Sequence, residues 1–443
     1  MDDLFGAIFG TDAMVTATGD RAWLAAMCRT EAALARACAS AGLIEPVAAD
    51  LIAIGCAELA ELGPAGLAAA AVPDGNPVIA LVNRIRTVVS ALPSPLAASA
   101  ASAVHLGATS QDILDTAAML VSADALDLII AELGRTADAC AELAAAHRDT
   151  PMAGRTLLQQ AAPTTFGSVA INWTVGLDSA IERLTSFRER RVAVQLGGAA
   201  GTLAALYPHG AEVRALLAGR LELADPHRCW HAERSRITEL ASVLGGAAAA
   251  IGKVATDVVL LAQTEVAEVA EATGGRSSSM PHKQNPIAAI SARAATGQAP
   301  GLVATLLNAA SGQEHQRAAG GWHAEWPALN SLLAVTGGAA HRLASSVTGL
   351  VVNTERMHHN LDASQGELLA ERVSVAITPR LGNARAGQLL RAAADDPRGF
   401  RAALESLDET GLSAAELDAL LNPLSYLGHA REDVDNYLRG RRQ

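Results

Sequence analysis

The longest regular pattern of apolar and polar positions runs from Gln111 to Asp149, where proline is absent and Gly134 is the single glycine. Leu114, Ala118, Val121, Ala125 and Leu128 recur there at steps of four and three, the spacing of a helix that buries one seam. At a rise of about 1.5 Å per residue, this predicts a helix about 50 Å long. A second proline-free segment, Ser235 to Ala272, predicts another long helix. A third set runs from Ile287 to about Leu350, with breaks expected near Pro300 and Pro327. Ahead of them, residues 1 to about 100 divide into medium helices at Pro46, Pro64, Pro73, Pro77, Pro93 and Pro95, and the run from Ala22 to Ala41 stops at Gly42. From about Val351, shorter helices alternate with turns at Pro379, Gly382, Pro397 and Pro423. The expectation is an all-α protein of three helical domains: 1–100, a central elongated long-helix bundle over 101–350, and 351–443. Helices of this length need neighbours along their whole length, so the bundle is expected to oligomerise through its alanine-rich faces.

Composition sharpens this picture. The chain of 443 residues exceeds the roughly 250–300 at which a single core stops growing, so more than one domain is expected. Half of the residues are hydrophobic, mostly alanine, and only 3% are aromatic, which favours closely packed helices over sheets. A formal net charge of −12 argues against a nucleic-acid or anionic-membrane partner, while leaving room for an acidic small molecule in a locally basic cleft. Cys28, Cys38, Cys56, Cys140 and Cys229 are scattered without a metal-ligand spacing, and their odd number suggests a reducing compartment. The N-terminus lacks the basic and apolar regions of a signal peptide, and no apolar stretch of about 18 residues reads as a membrane span. The expected setting is cytoplasmic.

One stretch interrupts the alanine-rich helices: Gly274-Gly275-Arg276-Ser277-Ser278-Ser279-Met280-Pro281-His282-Lys283-Gln284-Asn285-Pro286. Consecutive glycines and serines make a poor helix and a good loop, and Pro281 and Pro286 fix turns. Such a loop can bring to one small anion the ammonium of Lys283, the carboxamide of Asn285, and serine hydroxyls acting as proton relay or hydrogen-bond donors. The stretch resembles the signature loop of the fumarase/aspartase superfamily, and every fixed position of that pattern from Ser277 onward is met. The family's glycine before the first serine is Arg276 here.

Two further polar stretches support the resemblance. His105-Leu106-Gly107-Ala108-Thr109-Ser110-Gln111-Asp112 precedes the first long helix, and Thr109 or Ser110 reads as its N-cap. This stretch resembles the superfamily's first conserved region, where a threonine–serine pair followed by an aspartate binds a substrate carboxylate. Gly154-Arg155-Thr156-Leu157-Leu158-Gln159-Gln160 resembles the second region, but Leu157 occupies the place of the histidine found in fumarases and adenylosuccinate lyases. Asn76-Pro77-Val78 and His315-Gln316-Arg317 depart from acid/base triplets of the same superfamily. A hydroxide or a weakly acidic amine leaves badly without a proton, whereas a carboxylate, with a parent acid near pKa 4, leaves as a stable anion. The departures therefore point away from hydration, deamination and adenylosuccinate cleavage and towards lactone chemistry.

The chain is similar over most of its length to the bacterial 3-carboxy-cis,cis-muconate cycloisomerase family. It shares Arg155-Thr156-Leu157-Leu158-Gln159, the run Gly197-Gly198-Ala199-Ala200-Gly201-Thr202, Trp230-His231 with Arg234 and Arg236, and Gly321-Trp322-His323-Ala324-Glu325-Trp326-Pro327. The resemblance implies Ser277 as proton donor and base, with Ser278 as the fallback, and Lys283 and Asn285 as stabilisers of an enediolate-like intermediate. The expected substrate site comprises Thr109, Ser110 and Gln111, completed by Arg155, Thr156 and Gln159 and by Arg234, Ser278, Met280 and His105. It further implies a homotetramer whose active sites are shared between subunits, a small polycarboxylate substrate, and no cofactor or metal. Two alternatives stand beside this reading. One is a nitrosuccinate-type lyase, which expels another stable anion, and the other is a catalytically silent scaffold on the same fold; an adenylosuccinate-type lyase is less favoured.

Overall fold

A computed structural model describes residues 6–276, 279–280 and 282–441 of the chain. Most of them are helical. The helices used below are α1 (Asp20–Ser40), α2 (Pro46–Leu62), α3 (Val78–Ala91), α4 (Ser110–Ala146), α5 (Phe166–Arg190), α6 (Ser235–Leu261), α7 (Ile287–Thr296), α8 (Ala299–Ser311), α9 (Gly321–Thr348) and α10 (Ala370–Ala394). The described strands form three antiparallel pairs: β1 (Pro151–Thr156) with β2 (Gln159–Thr165), β3 (Val269–Glu271) with β6 (Leu350–Val352), and β4 (Gly275–Arg276) with β5 (Gln284–Asn285). The chain divides into two compact units, each built from separated segments. One comprises Met1–Leu133, Ser179–Gly252 and Ser291–His341; the other comprises Gly134–Asp178, Lys253–Ile290 and Arg342–Gln443.

In the first unit, Leu24 and Leu34 of α1, Ile52 of α2, and Leu81 and Ile85 of α3 are fully buried. Gly55 lets α2 approach α3, because a Cβ there would lie 2.6 Å from Val89 Cγ2. The predicted helix over 111–149 is present as α4. Its residues 111–123 are buried on every side rather than along one seam, and Leu128, expected in that seam, is half-buried. An apolar helix surrounded by neighbours is the expected solution for such a segment. Yet Asp112, Asp115, Thr116 and Ser122 lie inside it, so the centre of this unit also carries polar chemistry.

In the second unit, Phe166 and Trp173 meet edge to face at 5.7 Å, and Trp173 Nε1 donates to Asp257 Oδ2 at 2.6 Å. Farther along the chain, Val373, Ile377, Ala386, Phe400, Leu404 and Leu417 form a small separate core.

Three expected boundaries fall elsewhere. Helix α6 ends at Leu261 rather than continuing to Ala272. The chain turns through Ala267 in the left-handed region (φ 50), and the Glu268 N–H returns to Leu261 O at 2.9 Å. The next residues then pair as β3. Pro327 does not break α9, since it lies within the second turn of that helix. The carbonyl it leaves without an N–H partner belongs to His323, which is exposed to solvent. Pro379 is likewise inside α10, where the kink falls instead at Gly382 (φ 74, ψ 156).

By length and composition alone, α6 is apolar enough to cross a bilayer. Its burial is one-sided, however: Ile237, Leu240, Leu244, Ala248, Ile251, Val254 and Val258 are buried within the protein. That is how a core helix distributes its side chains.

Candidate active site

The loop ahead of α4 is shaped by close packing. Gly107 adopts φ 70, and a Cβ there would come within 2.4 Å of Leu206. Thr109 follows as the cap position, and its N–H donates to Asp112 Oδ2 at 3.0 Å, which is half of a capping box with aspartate as the acidic member. Thr109 and Ser110 are half-buried. They stand at the end of a 37-residue helix, where first-turn N–H groups and the helix dipole favour an anion.

The Asp112 carboxylate is fully buried and takes more donors than Thr109. The N–H groups of Gly197 and Gly198 reach it at 2.8 and 2.9 Å, and His231 Nε2 lies 2.7 Å from Oδ1. Three residues on, the Asp115 carboxylate meets Arg234 Nη1 at 2.7 Å and Nη2 at 3.1 Å. It also meets Trp322 Nε1 at 3.0 Å and Gln195 Nε2 at 3.2 Å. Arg234 turns its remaining edge to Glu325, with Nε 3.0 Å from Oε1. Burial disfavours the Arg234 charge, but Asp115 and Glu325 more than offset this and raise the guanidinium above its ordinary value. Burial pushes the Glu325 carboxyl up, against the opposing pull of Arg234.

These contacts correct three expectations. Arg234 makes a bidentate carboxylate contact, but with Asp115, and it is about 3% exposed, so it is not placed to meet substrate. Gln111 is fully buried and donates to His231 O at 2.9 Å and Asp115 Oδ2 at 3.2 Å. His105, in a left-handed conformation (φ 68), turns to the buried Glu31, with Nδ1 2.6 Å from Oε1. Burial alone would lower the His105 pKa, but the Glu31 charge and hydrogen bond outweigh it and the net shift is upward. That pair therefore supports the fold fully below about pH 6.5 and loses its contribution as the pH rises through the raised folded value. In each case the same chemistry that would hold a substrate carboxylate is satisfied by a carboxylate or carbonyl of the protein.

A second set of residues lies on the β1–β2 hairpin. Thr156 pairs with Gln159, and Leu157 and Leu158 between them both take positive φ, 53 and 65, as in a two-residue type I′ turn. Leucine adopts this geometry only with strain. Leu157 is 97% exposed at the tip, so the hairpin presents an apolar side chain where an acid or base is expected in the histidine-bearing relatives. Arg155 again departs from expectation. Its two amino groups each lie 2.8 Å from the buried Glu268 carboxylate, which also accepts from Asn360 Nδ2 at 2.9 Å. Thr156 and Gln159 are exposed beside the tip. Because Glu268 is fully buried, Arg155→Ala is expected to cost about 3 kcal/mol by leaving that charge uncompensated. A fall in the thermal midpoint checks this, and Arg155→Lys should recover only part of it because the bidentate fork is lost.

The serine-rich stretch forms a third set. Its base is closed by the pairing of Gly275 with Asn285 and of Arg276 with Gln284, and Asn285 Nδ2 donates to Gly275 O at 3.3 Å. Glycine is required at 275, since a Cβ would lie 2.1 Å from Ile287 Cγ1. Glu271 caps the following helix, accepting from the N–H groups of Ala288 and Ala289 at 3.1 and 2.8 Å. Lys283 and Met280 are exposed. Ser277, Ser278 and Pro281 lie outside the described residues.

Asp115, Glu268 and Glu31 carry no mark in the sequence patterns above, and Asp112 and Glu325 enter them only as parts of motifs. A signal existed for two of them. Asp112 and Asp115, three apart at the start of α4, meet His231 and Arg234, also three apart, so two acids on one stretch face two basic residues on another.

Comparison with known proteins extends this geometry. Residues 9–301 match the family described as Lyase. A 3-carboxy-cis,cis-muconate cycloisomerase of Pseudomonas aeruginosa is 43% identical over 447 residues, covering 99% of this chain and 96% of the relative. A nitrosuccinate lyase of Streptomyces davaonensis is also 43% identical, over 96% of this chain and 92% of the relative. The crystal structure of the 3-carboxy-cis,cis-muconate lactonizing enzyme from Pseudomonas putida matches with a TM-score of 0.91 at 41% identity, covering 99% of each chain.

Proposed function

This chain belongs to the lyase family of the fumarase/aspartase superfamily, and we propose that within it the chain is a 3-carboxy-cis,cis-muconate cycloisomerase. The observation that carries this reading is Leu157, held almost fully exposed at the hairpin tip, where relatives that expel poor leaving groups carry a histidine. A site without that acid suits a group that departs as a stable anion, and the carboxylate of a lactone is such a group. Full-length relatives of that activity at 35–43% identity support the choice.

In the cyclising direction, a substrate carboxylate oxygen adds to the conjugated diene and forms the lactone C–O bond. Electrons move onto the carbon next to a second carboxylate, giving an enediolate-like dianion, and that carbon then takes a proton. Ser277 supplies the proton in this direction and removes it in the reverse, with its hydroxyl activated by Lys283. The Lys283 ammonium and the Asn285 amide stabilise the charge as it develops on the carboxylate. The Thr109–Ser110 helix start holds another carboxylate. No cofactor enters this scheme.

We place the activity in a cytoplasmic homotetramer with active sites shared between subunits. Support comes from α6, whose side opposite the buried one carries Gly246, Ala249 and Ala250. Further support comes from Ile287, Ile290 and Leu307, which are 40–45% exposed in the single chain, apolar area that a helix bundle covers on assembly.

A nitrosuccinate lyase is the second reading. It is favoured by the 43% identity of the Streptomyces davaonensis relative and by the same Leu157 logic, since nitrite also leaves as a stable anion. A parallel assay on fumarate, adenylosuccinate, nitrosuccinate and 3-carboxy-cis,cis-muconate separates the two. Lactone formation without nitrite release supports the cycloisomerase, and nitrite release with the muconate untouched replaces it by the lyase.

A further inference from the structure

The Asp112 carboxylate gathers donors from three separate stretches of the first compact unit. Besides Thr109 N–H it holds two successive peptide N–H groups, those of Gly197 and Gly198, and the ring of His231. A carboxylate only accepts, so His231 Nε2 carries the hydrogen between them.

The glycine turn is built around these contacts. A Cβ on Gly197 would lie 2.5 Å from Cys229 Cβ and 2.8 Å from His231 Cε1. Gly198 takes φ 68, and a Cβ there would be 3.0 Å from Gly107 O. The turn therefore sits flush against both the His231 segment and the loop leading to Thr109. Arg317 fastens the far side, donating through Nη2 to Ala199 O at 3.1 Å, and the Leu203 N–H closes the loop on Gly197 O at 3.0 Å. Between these ties, Ala199, Ala200 and Thr202 are exposed. An anchored loop that presents small residues and one hydroxyl thus stands beside the half-buried helix start.

We propose that Asp112, oriented by His231, is a positioning residue that sets the Ala199–Thr202 loop against the Thr109–Ser110 helix start, so that the two together form one substrate-carboxylate subsite. The inference rests on the proposed reaction and deepens it. Asp112 touches no substrate; it fixes the spacing of two groups that do. Its loss acts through geometry, and small misplacement of a binding group is expensive in catalysis. Asn in its place keeps the shape, but it turns an amide donor towards one of the Gly197 and Gly198 N–H groups and opens the turn.

The test combines amide hydrogen exchange with steady-state kinetics on the full-length enzyme. Asp112→Asn is expected to speed exchange across residues 195–203 by about tenfold or more while leaving the interior of α4 and α9 unchanged, as local opening requires. It is also expected to raise KM by about tenfold or more, with a smaller change in kcat. His231→Gln, whose amide can still donate to Asp112, should stay within about threefold of wild type in both readouts, whereas His231→Leu should follow Asp112→Asn. Faster exchange with unaltered KM would overturn the proposal by showing that the loop is held there for another purpose. Unaltered exchange would overturn it by showing that the carboxylate does not hold the loop. Kinetics are read on 3-carboxy-cis,cis-muconate or nitrosuccinate, whichever the wild type turns over. A wild type inert to both overturns the functional reading and the subsite with it, while the exchange arm still reports separately on the clamp.

Discussion

Ser277→Ala is expected to lower kcat for lactonisation by about 10³-fold, with the thermal midpoint and the assembly unchanged. Removing a proton donor that acts in the transition state typically costs about 10²–10⁴-fold, and Ser277 is assigned both directions of proton transfer. In the sequence it stands six residues before Lys283, in a stretch of glycines and serines that make a poor helix, so its replacement is expected to leave the helices intact. The loss should therefore fall on kcat and kcat/KM together rather than on KM alone. Ser278→Ala is the control and should retain most activity. If the two variants exchange these behaviours, the proton transfer belongs to Ser278.

The second large effect concerns stability. Arg234→Met should destabilise the protein by about 3–5 kcal/mol, because it removes the cation shared by two buried carboxylates, Asp115 and Glu325. Glu325, already pushed up by burial, would then be pushed up further, because the opposing pull of Arg234 is gone. The variant should accordingly regain midpoint temperature as the pH is lowered and the uncompensated Glu325 charge is neutralised, in contrast with the wild type. Replacing Asp115 and Glu325 by leucine alongside Arg234→Met should recover much of the loss, since an apolar cluster of similar volume carries no desolvation penalty. A single variant as stable as wild type would show that the three charges are not held apart from water.

The long helix α4 could be read from the sequence because its proline-free run and apolar spacing are local properties of the chain. The end of α6 could not, because the residue that turns the chain is Ala267 rather than glycine or proline, and tertiary pairing of β3 with β6 holds it there. The β1–β2 hairpin was hidden for the same reason: Leu157-Leu158 carries none of the Asn-Gly character that usually marks such a turn. The serine-rich loop was legible as a functional stretch because its residue types are wrong for a helix and its spacing matches a family pattern. Arg155 and Arg234 were read as substrate ligands, since a bidentate guanidinium looks the same from sequence whether its carboxylate belongs to a substrate or to the protein. Their partners, Glu268 and the pair Asp115 and Glu325, lie about a hundred residues away along the chain, and only folding brings them together.

Lactonisation at this site requires a leaving group that needs no acid at position 157. The most direct measurement is the ultraviolet absorbance of 3-carboxy-cis,cis-muconate mixed with the purified protein, followed over minutes beside Ser277→Ala. Loss of the conjugated diene with the wild type, together with a flat trace for the variant, is the predicted result. A stable diene absorbance with well-folded wild-type protein would contradict the assignment.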